Sequence, residues 1–129
     1  MKKEIVNAGR SLPGAPYSPC VRAGCLLFIS GQVPLDPDTG KLVEGGFEQQ
    51  AWQCLNNLRV TLEQAGASMA HVVKTTVFLS DLGNFAAMNE VYKSFFPTEP
   101  PARTAVQAAR LPMDAMIEIE AVAVAPDTD

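Results

Sequence analysis

The sequence predicts an α+β domain in which two helices pack on one face of a sheet. Apolar residues recur at three- and four-residue steps in a long segment, residues 47–65, and in a shorter one, residues 85–95, as in amphipathic helices. Runs before, between and after these segments are β-branched or apolar, which is typical of strands. The 129 residues contain no internal repeat or linker, so we expect one domain covering residues 1–129.

The first twenty residues predict an irregular arm around Tyr17, after a short strand near residues 4–7. The arm is rich in turn-forming residues, namely Pro13, Gly14, Pro16 and Pro19. In residues 25–30 the positions that would point to either face of a strand are apolar, which suits a strand covered on both faces. Residues 34–40 combine two prolines, two aspartates and Gly40, a composition that predicts a loop or a hairpin tip.

The first helix is expected over residues 47–65, with Gly66 at its C-terminal end, and Gly45-Gly46 shape its entry. Residues 72–79 predict a strand. The second helix is expected to begin after Asn84, a candidate N-cap, and to stop before Pro97. Four aromatic side chains on these helices are expected to pack in the core: Trp52, Tyr92, Phe95 and Phe96.

The last third predicts two strands, residues 103–109 and 116–125, joined by a turn at 110–115 into an antiparallel hairpin. Alternation along the final strand places Glu118 and Glu120 on one face. The same alternation groups Arg103 with Ala105 and Gln107. We therefore expect the guanidinium and one or both carboxylates on the same side of the hairpin.

This mixture of charged and apolar residues has two interpretations. A surface ion pair on an exposed sheet is the commoner explanation, since such pairs are frequent and weak. Alternatively, the face lines a small polar cleft in which Arg103 holds a substrate carboxylate through two parallel charge-assisted hydrogen bonds. Spacing alone does not decide between them, because one arginine and a Glu-x-Glu occur in many strands.

Composition narrows the classes of function. A net charge of -4, 47% hydrophobic and 19% charged residues argue against disorder and against an extended nucleic-acid surface. No apolar run has the length of a signal peptide or a membrane span, so we expect a cytoplasmic protein. No glycine-rich motif is suited to nucleotide phosphates.

Metal and cofactor chemistry has little support in the sequence. His71 is the one histidine, so a zinc site with several imidazoles is not possible, and a surface or helix-capping role is expected for it. Cys20, Cys25 and Cys54 form no C-x-x-C pair and are expected to be small buried hydrophobes. We predict neither a metal nor an organic cofactor.

Six motifs occur in order along nearly the whole chain. They are Pro16-Tyr17-Ser18, Ile29-Ser30-Gly31-Gln32-Val33-Pro34, Val73-Lys74-Thr75-Thr76-Val77-Phe78-Leu79, Met88-Asn89-Glu90-Val91-Tyr92, Pro101-Ala102-Arg103 and Ile117-Glu118-Ile119-Glu120-Ala121. In these motifs the chain resembles the Rid (YjgF-type) family of enamine and imine deaminases. The resemblance implies a chorismate-mutase-like domain with a mixed sheet, assembled as a homotrimer with a barrel-like core and clefts between subunits.

The resemblance also implies an activity, the hydrolysis of reactive imines and enamines of 2-amino acids, such as 2-aminoacrylate and 2-aminocrotonate, to 2-keto acids and ammonia. Arg103 would bind the substrate carboxylate and Glu118 would hold the attacking water, with Glu120 the less direct participant. The other residues that would contact substrate are Tyr17, Ser30, Gly31, Asn89 and, through the backbone, Ala105.

Three positions depart from the family pattern: Ala15, Pro19 and Ala105, where members often carry glycine, glutamine and cysteine. The alanine removes any thiol-based role at position 105, and Pro19 bears on substrate preference. The main alternative function is a non-catalytic trimer that binds or senses keto acids. Ribonuclease or protein-holding chaperone activity is disfavoured by a pI near 4.9 and the absence of a basic stripe.

Overall fold

The computed structural model describes residues 1–6, 8–9 and 14–126, which form a mixed six-stranded sheet with two helices. The strands are β1 (Lys3–Val6), β2 (Cys20–Ala23), β3 (Leu26–Gln32), β4 (Val72–Leu79), β5 (Ala102–Gln107) and β6 (Ile117–Val124). The helices are α1 (Phe47–Gln64) and α2 (Phe85–Phe95). The sheet order is β1-β2-β3-β6-β4-β5, so the predicted α+β class is confirmed.

The core lies between the helices and one face of the sheet. Residues of α1 at helical spacing are fully buried: Ala51, Leu55, Leu58 and Leu62. Alternate residues of β6 point toward them and are also buried: Ile117, Ile119, Ala121 and Ala123. Each buried leucine contributes about 2 kcal/mol relative to an exposed one. This burial defines a helix-covered face of the sheet.

Among the described residues, no helix packs on the opposite face. Phe28, Val106 and Val124 remain 44%, 40% and 38% exposed there, and we call the surface that contains them the uncovered face. It also carries Glu118 and Glu120, because these residues alternate with the buried positions of β6. The uncovered face is therefore apolar at some positions and acidic at others.

The predicted antiparallel hairpin of the last two strands is wrong. β4 lies between β5 and β6, running parallel to β5 and antiparallel to β6. Because parallel neighbours need a crossover, α2 carries the chain from the end of β4 to the start of β5. The segment after β5 then crosses two strand spacings, about 10 Å, to reach β6. The alternation of buried and exposed residues within a strand is the same whichever strand lies beside it. The sequence pattern therefore does not reveal the order of the strands in the sheet.

Strand β2 was not predicted, because only four residues form it and their pattern is unremarkable in isolation. Strand β3 continues past Gly31 to Gln32, and a bulge after Ile29 shifts its pairing with β6.

Two predictions of buried side chains are wrong, since Cys25 is exposed and Trp52 is 39% exposed. The predicted strand residue Asn7 and arm residue Pro13 lie outside the described residues.

Two local predictions, for Gly66 and His71, are confirmed. Gly66 follows α1 with a φ of 84°, a left-handed conformation that glycine adopts without strain. The Nδ1 atom of His71 accepts a 3.0 Å hydrogen bond from the Ser68 N–H and so caps a short 3-10 turn. Asn84 precedes α2, but its side chain makes no capping hydrogen bond. No helix in the described part of the chain is long and apolar enough to span a membrane.

Candidate active site

Arg103 is held at the edge of the sheet by side chains of α2. Its Nη1 atom donates a 2.8 Å hydrogen bond to Oδ1 of Asn89. Its Cζ atom lies 4.9 Å from the centre of the Tyr92 ring and 5.4 Å from that of Phe85. A guanidinium at such distances is attracted to the electron-rich faces of aromatic rings. Nη1 also donates a longer hydrogen bond, 3.7 Å, to Sδ of Met88. Arg103 is therefore fixed by two hydrogen bonds of one nitrogen and by two ring contacts.

This arrangement follows from helical spacing. Phe85, Asn89 and Tyr92 are separated by four and three residues, so they lie on the same face of α2. Within residues 14–126 the Nε and Nη2 atoms of Arg103 make no hydrogen bond to another side chain or to the backbone, in contrast to Nη1. The Nε–Nη2 edge offers two parallel N–H donors, which match the two oxygens of a carboxylate.

Glu118 lies beside Gly31 on the uncovered face. A Cβ atom on residue 31 would collide with Oε2 of Glu118, so a larger residue there would displace this carboxylate. Burial raises the pKa of Glu118, and the nearby charge of Glu120 raises it further. The described residues supply neither a hydrogen-bond donor nor a cation to the Glu118 carboxylate. Glu118 is therefore a half-buried acid that favours its protonated form more than an ordinary glutamate does.

Arg103 and Glu118 do not share a face, which corrects the expectation from the sequence. Arg103 is in register with Thr75 of β4, and Thr75 is in register with Ala121 of β6. Ala121 is buried under the helices, whereas Glu118, three residues away, points to the other face. One chain thus places the guanidinium and the carboxylate on opposite sides of its sheet.

Most of the other candidate residues divide between these two groups. Ala105 is half-buried on β5 and shares the face of Arg103. Ser30 lies next to Gly31, and its hydroxyl donates a 2.6 Å hydrogen bond to the carbonyl oxygen of Ser18, which fastens the arm to β3. Tyr17 precedes Ser18 in this arm and is 41% exposed. The structure therefore groups Arg103 with Asn89 and Ala105, and Glu118 with Gly31.

The sequence did not identify the aromatic residues around Arg103. Tyr92 was expected to be a core residue, and it is buried, but its ring also faces the guanidinium. The spacing of Phe85, Asn89 and Tyr92 was a usable signal, because it already places both rings beside a candidate site residue. The described residues include no cluster of three or more His, Cys, Asp or Glu side chains arranged to hold a metal ion.

Comparison with known proteins identifies the family. A family model described as Endoribonuclease L-PSP matches residues 9–125. The chain belongs to this family. It is the family to which the sequence motifs pointed under the name Rid.

Individual Rid relatives match over nearly their whole length. The human 2-iminobutanoate/2-iminopropanoate deaminase is 47% identical over 124 residues, which cover 95% of this chain and 90% of that protein. A Rid family protein of unknown function from Yersinia pestis, YyfA, has a TM-score of 0.87 and 37% identity, with 95% and 99% of the two chains covered. Escherichia coli TdcF with bound serine has a TM-score of 0.84 and 40% identity, with coverage of 95% and 97%.

Proposed function

We propose that this protein hydrolyses reactive 2-imino and 2-enamino acids to 2-keto acids and ammonia, as a homotrimer whose sites each need two chains. The name of the human relative supports this class of reaction for this chain. The serine bound to the Escherichia coli relative supports a ligand that carries a carboxylate. Neither a metal nor an organic cofactor enters the proposed reaction.

The observation that carries the proposal is the state of Arg103. Asn89 and two aromatic rings hold its guanidinium, while the Nε–Nη2 edge remains available for a carboxylate. A surface ion pair, the commoner explanation of the sequence pattern, would need an acidic partner. Within residues 14–126, Arg103 belongs to none of the three salt bridges, which join Arg59 to Glu63, Lys93 to Glu90 and Arg110 to Asp114.

The proposed chemistry needs few groups. An enamine first tautomerises to its imine, whose protonated form has an electrophilic carbon. Glu118 accepts a proton from water as the oxygen attacks this carbon, and it returns the proton to the nitrogen. The C–N bond then breaks as the hydroxyl oxygen becomes the keto oxygen, the hydroxyl proton passes back to Glu118, and ammonia leaves. Arg103 fixes the carboxylate and thereby the distance between carbon and water. The raised pKa of Glu118 suits this exchange, since a general acid–base works best near the operating pH.

The two-chain site is supported by the position of the two residues. Arg103 and Glu118 lie on opposite faces of one sheet, so a cleft containing both would take one from each of two neighbouring chains. The uncovered face supports association because Phe28, Val106 and Val124 are apolar and exposed there. In a closed trimer with head-to-tail contacts, the same pair of surfaces would form three equivalent sites.

The test is ammonia release in the presence of a serine or threonine dehydratase, which generates the imine in the same cuvette. We expect release above the spontaneous rate for wild type and no increase for Arg103→Ala. A wild-type protein that binds 2-keto acids but does not accelerate ammonia release would instead be the non-catalytic sensor. Parallel assays with several amino-acid precursors would rank the imines by kcat/KM.

A further inference from the structure

Two buried hydroxyl groups form a hydrogen bond beneath Arg103. The Oγ1 atom of Thr75 lies 2.8 Å from the phenolic oxygen of Tyr92. Thr75 is 0% and Tyr92 6% exposed, so neither hydroxyl depends on solvent as its main partner. Burial raises the pKa of Tyr92, which keeps its hydroxyl protonated at neutral pH and able to take part in this bond. Core packing alone does not require two polar groups at this depth.

The hydrogen bond joins α2 to the strand beside Arg103. Thr75 is the β4 residue in register with Arg103, and Tyr92 comes from the helix that also supplies Asn89. The Tyr92 ring is thus tied at its hydroxyl end to the neighbour of Arg103 in the sheet. Its face lies 4.9 Å from the guanidinium carbon. Tyr92 therefore links the guanidinium to Thr75, the residue beside Arg103 in the sheet.

We propose that Tyr92 is a positioning residue, whose ring, tied by Thr75, sets the orientation of the Arg103 guanidinium for binding the substrate carboxylate. This inference rests on the proposed role of Arg103. Asn89 and the Sδ atom of Met88 both accept from the same nitrogen, Nη1, so these hydrogen bonds leave the guanidinium free to rotate about that atom. A ring that cannot tilt removes that freedom, because stacking favours one plane. Two-point binding of a carboxylate needs this plane to be defined before the substrate arrives.

The variants Tyr92→Phe, Thr75→Val and the double variant separate positioning from packing. Each single variant leaves one buried hydroxyl without its partner, whereas the double variant removes both. A purely structural role predicts lower melting temperatures in the singles, recovery in the double and unchanged ligand affinity. The positioning role predicts a lower ligand affinity in all three variants, the double variant included. In each of them the ring at position 92 lacks its hydrogen bond to residue 75.

Binding of 2-oxobutanoate, measured by calorimetry, gives a readout independent of turnover. We expect its Kd to rise roughly 3- to 30-fold in the three variants, the range expected when misalignment weakens one hydrogen bond to the carboxylate. Coupled assays should show KM rising by a similar factor with a smaller change in kcat, since the carboxylate is gripped in both ground and transition states. Phe95→Leu is the matched control, because it removes an aromatic pair of α2 with Trp52 that does not include Arg103.

The outcomes distinguish this inference from the proposed function. If wild type binds 2-oxobutanoate through Arg103 without releasing ammonia, and the variants weaken that binding, the deaminase activity is wrong and the positioning role stands. If wild type is active and the double variant binds as tightly as wild type, the positioning role is overturned. If Arg103→Ala leaves binding unchanged, Arg103 does not hold the carboxylate and the positioning role is overturned, while ammonia release by wild type decides the deaminase activity separately.

Discussion

Arg103 on β5 and Glu118 on β6 point to opposite faces of one sheet, with β4 between the two strands and with Thr75 and Ala121 marking the register. Alternation along β6 separates Glu118 from the face that Ala121 and Arg103 share. If both residues act on one substrate, two chains must meet at each site. This geometry gives the most direct test of the assembly.

Mixing two inactive variants should restore activity. In a closed trimer, each cleft would take Arg103 from one chain and Glu118 from the next. In equal mixtures of Arg103→Ala and Glu118→Gln chains, about a quarter of the clefts would then combine both intact residues. We expect roughly that fraction of the wild-type rate after co-expression, measured as ammonia release, with each parent near the background.

Sedimentation of the mixed and parent proteins is the control, and it should give trimers throughout. A mixture that forms trimers but stays as inactive as its parents would show that no cleft combines residues from two chains. A fully active monomer at micromolar concentration would contradict the trimer itself.

Arg103 should tolerate neither of two substitutions. We expect Arg103→Lys and Arg103→Ala both to remove most activity while the trimer stays folded, because lysine cannot reproduce a planar two-point grip. Misplacing the imine carbon by about 1 Å can lower the rate roughly 100-fold.

Glu118→Gln should instead slow turnover by about 10²- to 10⁴-fold, the range typical of general acid–base groups, while binding persists. Steady-state kinetics of all three variants checks these effects, and near-native turnover in Glu118→Gln would move the role to Glu120.

The pKa of Glu118 should respond to its acidic neighbour. Burial is the larger cause of its rise above 4.5, and Glu120 is the second. We expect Glu120→Gln to lower the pKa of Glu118 without returning it to the ordinary value, because burial remains. Carbon NMR of labelled glutamate carboxyls measures this, with Glu118→Gln identifying the resonance. An unchanged titration would exclude Glu120 as a cause.

The raised pKa of Glu118 also predicts how the stability of the protein depends on pH. Between pH 4.5 and the raised folded-state pKa, the folded protein binds more protons at Glu118 than the unfolded chain. The contribution of this residue to stability therefore falls as pH rises through that window and stays lost above it. Glu118→Gln should melt at a higher temperature than wild type at pH 7, and this advantage should vanish below pH 4.5.

Gly31 should not tolerate a methyl group. Its Cβ would occupy the position of the Glu118 carboxylate, so Gly31→Ala should displace that carboxylate and reduce kcat by about 100-fold. Gly46→Ala is the matched control, since a Cβ there would meet only Oε1 of Gln49 at an ordinary distance of 3.7 Å. Equal kinetics in both variants would mean that the position of Glu118 is unimportant for turnover.

Activity should survive exhaustive chelation. One histidine and three scattered cysteines cannot supply an ordinary zinc shell. We expect the same kcat/KM before and after dialysis against EDTA, with the dehydratase added fresh. Loss of activity that a divalent metal restores would overturn this prediction.

The sequence determined the identity of most elements, because helical and strand periodicities are local. The 72–79 strand has the predicted bounds, the second helix lies between its predicted limits, Asn84 and Pro97, and the helix predicted over 47–65 ends at Gln64. The candidate site depended more on ordered motifs, which name Arg103, Asn89 and Glu118 without relating them in space. Spacing along α2 carried the one geometric signal that was missed, the Tyr92 ring beside Arg103.

Only the tertiary structure decided how Arg103 and Glu118 relate to each other. Alternation fixes which residues of one strand share a face, but it does not link the faces of two different strands. That link depends on which strands pair, in which direction and in which register. Because β4 lies between β5 and β6, its register places Arg103 under the helices and leaves Glu118 on the uncovered face. The sequence identifies both residues as candidates for the site, whereas the order of the strands places them on opposite faces of the sheet.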